Sequence, residues 1–192
     1  VTRSCAAGRD VANPARGWLR AQLDREVDCS VRTLLGGMTE RLSIAAGSAA
    51  TLRRLSADGE WLSPVAAHHP DPGMTAAMTA IMEETAPRAR SGLWRPVVEE
   101  RRAVRYRVDP GRTPAEASDE QARFLDRFPV TAVLGVPVEH DGRLVGGTAL
   151  VRYSVPRPFD DADEALLVDF AARAGVVLAM LEEYTTRHTS DG

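Results

Sequence analysis

The sequence predicts an α+β fold, and three observations carry that prediction. A long helix with an apolar stripe stands at each end, two antiparallel hairpin signals lie between them, and the stretch separating the hairpins holds short helices and one strand. Hairpins need no crossover helix, so this order describes antiparallel pairing and not βαβ units. At 192 residues, 44% hydrophobic and 27% charged, the chain can bury a sizeable core as one domain with helical extensions; disorder, collagen-like repeats and a disulfide-dense miniprotein are all disfavoured.

Asn13-Pro14 supplies an N-cap followed by proline at the first helical position. Leu19, Leu23, Val27, Val31, Leu34, Met38 and Leu42 then recur in steps of four and three. Gly36-Gly37 interrupts that helix, which predicts two helices or a close approach of the backbone to a neighbour. Thr51 to Leu55, a turn through Asp58-Gly59, and Trp61 to Ala67 make the first hairpin. Short helices follow at Pro72 to Glu84 and Leu93 to Arg101, then a strand at Ala103 to Val108 and a helix at Pro114 to Arg127. The second hairpin, Thr131 to His140 and Arg143 to Tyr153, turns on Asp141-Gly142, the pair that accepts the positive φ angles of a type I′ turn. In the closing helix Asp161 and Glu164 stand at capping-box spacing, and Leu167, Phe170, Ala174, Val177, Leu181 and Tyr184 repeat as a coiled-coil seam.

Composition closes several chemistries. All 24 basic residues are arginine, which excludes a Schiff-base, Walker A or kinase-strand lysine. No nucleophile elbow, Gly-x-Gly-x-x-Gly loop or oriented acid-base pair is present, so no catalytic residue is assigned and no enzyme is expected. Cys5 and Cys29 are too few and too far apart for a metal or redox site, and each reads as a reduced structural thiol. His140 and His188 lack a partner at ligand spacing, so no metal is expected. The longest uncharged stretches, Pro72 to Met82 and Phe128 to Val138, fall short of the roughly 20 residues a membrane helix needs. With no apolar stretch near the start to serve as a secretion signal, a cytoplasmic location is expected.

Three stretches together resemble a GAF domain: Leu55 to Pro70, with its Asp-Gly turn and His68-His69; Ala132 to Gly147, reading Leu-Gly-Val-Pro-Val before Asp-Gly; and Phe159 with Asp163-Glu164. The resemblance covers about Val31 to Thr186. It implies a GAF/PAS-like central six-stranded antiparallel sheet, with the long terminal helices on one face and a ligand pocket on the other. Residues 1–12 then form a flexible tail, 13–30 a helical extension, 31–187 the domain and 188–192 a second tail. Cyclic-nucleotide members carry Asn-Lys ahead of Phe-x3-Asp-Glu, where this chain has Val151-Arg152; helix capping accounts for the acids without a nucleotide. Residues 30–192 hold no cysteine for a covalent bilin, and the haem histidine that family members place before the Leu-Gly-Val-Pro strand is missing, so no cofactor is expected.

The resemblance implies a signal-transduction sensor that binds a small molecule or dimerises to regulate an output domain or partner protein. His68, Trp94, Tyr106, Arg107 and Phe124 are the candidate ligand contacts, the aromatics as walls and His68 and Arg107 as polar groups. Because arginines exceed acids by five between Arg88 and Arg112, the ligand is expected to be small and anionic. Strand alternation keeps Tyr106 and Arg107 from both facing the pocket unless β-structure is broken there. A homodimer is expected through Leu19, Leu23, Val27, Leu181 and Tyr184, whose stripes outrun the domain. Two alternatives stand beside this: a ligand-free dimerisation and interaction module, and a DNA-binding regulator with a helix-turn-helix over residues 38–62, where only Arg53 and Arg54 would meet phosphates. That second reading removes a strand from the sheet, so nucleic acid is not the expected partner.

Overall fold

Pro14 begins a single helix, α1 (Pro14–Ala46), in the computed structural model, which describes residues 14–82, 86–109 and 112–189. The tail expected over 1–12 lies outside the described residues. Neither consequence expected of Gly36-Gly37 is found: the helix runs straight through, and a Cβ at Gly36 would meet nothing within 4 Å. Two glycines cost a helix about 1 kcal/mol each relative to alanine, which a long packed helix absorbs. The inward stripe also shifts by one residue. Leu35 is fully buried while Leu34 stays half exposed, so the buried line passes through Val31, Leu35, Met38 and Leu42. Cys29 is exposed on this helix and is not a packed structural thiol. Gly47, with φ of 55°, ends α1 in the left-handed region.

The strands β1 (Ala49–Leu55) and β2 (Trp61–His68) form the first hairpin. They are followed by α2 (Pro72–Met82) and a two-residue strand, β3 (Ala86–Pro87), on the outer side of β2. Two 3₁₀ turns (Arg88–Arg90 and Gly92–Trp94) and one helical turn, α3 (Arg95–Val98), replace the single helix expected there. The left-handed Gly92 before it and the left-handed Arg101 after it, with φ of 55° and 50°, bound helical geometry to that short span. Next come β4 (Val104–Arg107) and α4 (Asp119–Arg127), which starts five residues later than expected because Ser118 and Gln121 form its capping box. The second hairpin, β5 (Val130–His140) and β6 (Arg143–Tyr153), turns on Asp141 and Gly142 with φ of 47° and 72°. The closing helix, α5 (Asp161–Thr189), includes His188, so it enters the segment read as a tail from 188.

The strand order is β3-β2-β1-β6-β5-β4, all antiparallel. Five strands carry the sheet, and the sixth is reduced to the two-residue β3. The helix-turn-helix alternative over 38–62 is not formed: that segment holds the end of α1 and all of β1, which pairs with β2 and β6.

Cross-strand partners share a face, so register sorts the core. On one face Leu52, Leu134, Val136 and Leu150 pack with Leu35 and Leu42 of α1 and Leu167, Ala174 and Leu178 of α5. The seam of α5 is therefore largely spent inside the chain. Among the described residues no helix is long and apolar enough to cross a membrane.

Candidate functional site

The opposite face carries two separate apolar clusters. Ala49, Met78, Phe128, Val130 and Val151 make one, with Phe124 and Tyr153 against it. Leu55, Leu62, Val97, Val98 and Leu144 make the other, with Trp94 and Val104. Between them the register lines up small residues: Thr51 opposes Ala67 and Ala149, Ala149 opposes Gly135, and Arg53 opposes Gly147. Thr51 is 1% exposed, and its Oγ1 is buried with no hydrogen-bond partner among the described residues. Thr148, one register step away on the other face, donates to the Thr51 carbonyl at 2.8 Å. A buried hydroxyl left without a partner costs about 1–3 kcal/mol, a cost the fold carries at Thr51.

Trp94 lies over this band. A Cβ at Gly147 would come within 2.9 Å of its Cζ3 and 3.1 Å of its Cε3, so glycine is what lets the indole approach the sheet. Phe124 of α4 joins Phe128 with ring centres 4.9 Å apart, and Tyr153 meets both edge-on. Tyr106 opposes Val133 and so shares their face. Burial, and then the Glu116 charge, raise the pKa of the Tyr106 phenol and keep it protonated.

His68 and Arg107 do not join them. His68 opposes Ala50 on the α1 face, with Nε2 3.8 Å from Glu40 of α1. Arg107 opposes Ala132 on that same face and is largely exposed, 3.7 Å from Asp109. Strand alternation, unbroken by a bulge in β4, decides this: Tyr106 faces the band, and the arginines on either side of it face away. The arginine excess also disperses into ion pairs, Arg88 with Glu99, Arg102 with Glu100 and Arg105 with Asp161 and Glu164.

Two residues at the band were not among the expected small-molecule contacts; Arg53 was expected to meet phosphate only in the DNA-binding alternative. Arg53 is 9% exposed, donates to the Leu62 carbonyl at 3.3 Å, and has its guanidinium pKa lowered by burial. Tyr153 donates its hydroxyl to the Met78 sulfur at 3.1 Å, and burial pushes its phenol far above the ordinary range. The alternation that placed Tyr106 could have placed both, once the register of β1 and β6 was known.

Gln121 latches the Trp94 segment to α4. Its Oε1 accepts from the Leu93 and Ser118 amides at 2.8 and 3.0 Å, and its Nε2 donates to the Ser91 carbonyl at 3.0 Å. Gly92 sits so close that a Cβ there would lie 2.7 Å from the Ser118 nitrogen. Gln121→Ala strips all three bonds. It should destabilise the chain by about 1–3 kcal/mol and red-shift tryptophan emission as Trp94 lifts; unchanged emission would show that other contacts hold the segment.

The start of α5 is clasped from the other face. Asp160 is its N-cap, accepting from the Ala162 and Asp163 amides at 3.1 and 3.0 Å, while Asp163 accepts from the Asp160 amide at 3.0 Å. The capping box is thus Asp160 with Asp163, not Asp161 with Glu164, and those two instead receive Arg105 of β4. The Asp163 hydrogen bond holds the Asp160 carboxyl below its usual pKa, with nearby Arg157 contributing. Arg152 of β6 grips Asp163 through both carboxylate oxygens at 3.0 and 2.9 Å and stacks 3.9 Å from the Phe159 ring centre.

Of the residues expected at a dimer interface, the Leu19 side chain lies outside the described residues. Leu23 is 47% exposed, Val27 and Tyr184 are partly buried, and Leu181 is already buried within the single chain. The apolar side chains that α5 leaves exposed nearby are Val176 and Met180.

A family profile described as GAF domain matches residues 30–178. No curated protein matches. The GAF domain/HD domain protein of Geobacter sulfurreducens is similar in structure with a TM-score of 0.64 and 17% identity, over 79% of this chain and 94% of that one. The GAF domain of an Acinetobacter phosphoenolpyruvate-protein phosphotransferase gives 0.58 and 17%, over 88% and 98%. Residues 122 to 287 of a methyl-accepting chemotaxis protein give 0.62 and 18%, over 86% and 97%. At these identities the structural likeness speaks for the fold.

Proposed function

The chain belongs to the GAF domain family, and from that premise we propose that it is a non-catalytic cytoplasmic sensor that binds a small molecule and passes the state of that site to an output domain or partner. The buried Thr51 hydroxyl without a partner, set in a band of small residues under Trp94, carries this reading. Apolar enclosure with a few convergent polar groups is what a small-molecule site requires. Trp94, Phe124 and Tyr106 supply the walls. An anionic ligand remains the proposal, with Thr51 and the Arg53 guanidinium as the polar side, because His68 and Arg107 face the other way. That similar folds occur in a chemotaxis protein and a GAF/HD protein supports a sensory setting.

The proposed assembly is a homodimer through α1 and α5. Leu23, Leu34 and Ile44 are exposed on α1, as are Val176 and Met180 on α5, and these are the apolar side chains that a partner would cover. Native mass spectrometry of freshly purified protein tests both parts at once: twice the chain mass supports the assembly, and a retained small molecule supports the sensor. Thr51→Val provides the discriminating variant. It should abolish retention yet raise the stability of the ligand-free protein by about 1 kcal/mol, since it removes an unpartnered buried oxygen at constant shape. Bare chain mass together with a destabilised Thr51→Val would sink the ligand site.

A further inference from the structure

Two strands of the sheet carry the same dipeptide in the same orientation. On β6, Arg152-Tyr153 puts the tyrosine into the aromatic cluster of Phe124 and Phe128 and the arginine onto Asp163 of α5. On β4, Arg105-Tyr106 puts the tyrosine on the ligand face and the arginine onto Asp161 and Glu164. Both arginines end on the first turn of α5, although the two strands are separated by β5.

We infer that these two Arg-Tyr pairs form a relay through the sheet, by which a change in the aromatic wall of the ligand face loosens or tightens the first turn of α5. The inference rests on the sensor reading above and adds how the site would be read out. A strand residue cannot tilt its side chain by moving its own backbone without tilting its neighbour's the opposite way, because successive side chains leave opposite faces of one pleated backbone. The same movement at Tyr153 therefore reaches Arg152, and what Arg152 holds is unusually concentrated. It donates to the Arg157 and Pro158 carbonyls at 3.1 and 2.7 Å, to both Asp163 oxygens, and lies over Phe159. It thus fixes the whole turn leading into α5. Asp163 in turn completes the capping box, so loss of its alignment frees the Asp160 amide and the residue that caps the helix. Arg105 grips Asp161 and Glu164, the acids on either side of Asp163, from the sheet's edge and makes the first turn answer to two strands.

Native-state hydrogen exchange on the full chain tests this. Tyr153→Leu should accelerate exchange of the Leu166 and Leu167 amides about ten-fold relative to Leu178 and Leu181 at the far end of the helix. Val130→Ala is the control: it thins the same cluster from the position opposite Tyr153, but no arginine adjoins it along its own strand, and it should leave that ratio unchanged. Should Tyr153→Leu fail to fold, Tyr153→Phe removes only the contact with the Met78 sulfur and should move the ratio in the same direction by about three-fold. Equal ratios for the tyrosine and valine variants, or uniform acceleration along α5, would overturn the relay. The measurement needs no ligand, so its failure leaves the ligand site standing, and failure of the Thr51→Val test leaves the relay standing.

Discussion

Gly175→Val should cost about 3 kcal/mol or more of folding stability, while Gly36→Ala should add about 0.5–1 kcal/mol. Both glycines are helical, so propensity alone favours substitution at each. Their surroundings decide otherwise. A Cβ at Gly175 would overlap the Glu139 carbonyl oxygen and lie 3.1 Å from the Glu139 carbonyl carbon, and this is backbone that cannot swing aside. The contact falls where β5 shifts register between Val138 and Glu139, which turns that carbonyl toward α5. At Gly36 there is open space. Urea midpoints at constant m would read the two signs directly; a neutral Gly175→Val would mean that α5 can lift from the sheet without penalty.

Asp163→Ala should cost about 3–5 kcal/mol in all, because it strands a guanidinium whose side chain is 6% exposed. The carboxylate also serves the Asp160 amide, so the helix loses a cap at the same stroke. The double variant Arg152→Met with Asp163→Leu should recover most of the loss, since replacing both partners removes the uncompensated charge. Thermal unfolding of the three variants separates these contributions. If Asp163→Ala unfolds within 1 °C of the parent, Arg152 must be finding water that its burial denies, and the clasp is not structural.

The fold was legible because its strongest signals are local. Asp141-Gly142 named its hairpin to the residue, and the period of α5 picked out Leu167, Phe170 and Ala174, all of them buried. What misled was register, which is not local. Choosing Leu34 over Leu35 is a one-residue error along a helix whose neighbouring leucines look alike in sequence. Placing His68 and Arg107 on the right face of the sheet required knowing that His68 opposes Ala50 and Arg107 opposes Ala132, facts fixed only when distant strands meet. The face on which Trp94 and Phe124 lie was easier to read, because large apolar side chains over a sheet pack against it. Thr51 was invisible for the opposite reason: an alternating strand threonine gives no hint that its hydroxyl will lack a partner.

The two margins of the sheet bear on what this protein can become at high concentration. β3 offers a newcomer two residues, one of them a proline with no amide to give. β4 offers four, with Arg105 and Arg107 projecting beside it. A strand from another molecule would gain few backbone bonds at either margin and would have to desolvate charge at one of them. Growth by sheet extension, the route to fibres, is thereby discouraged at both margins.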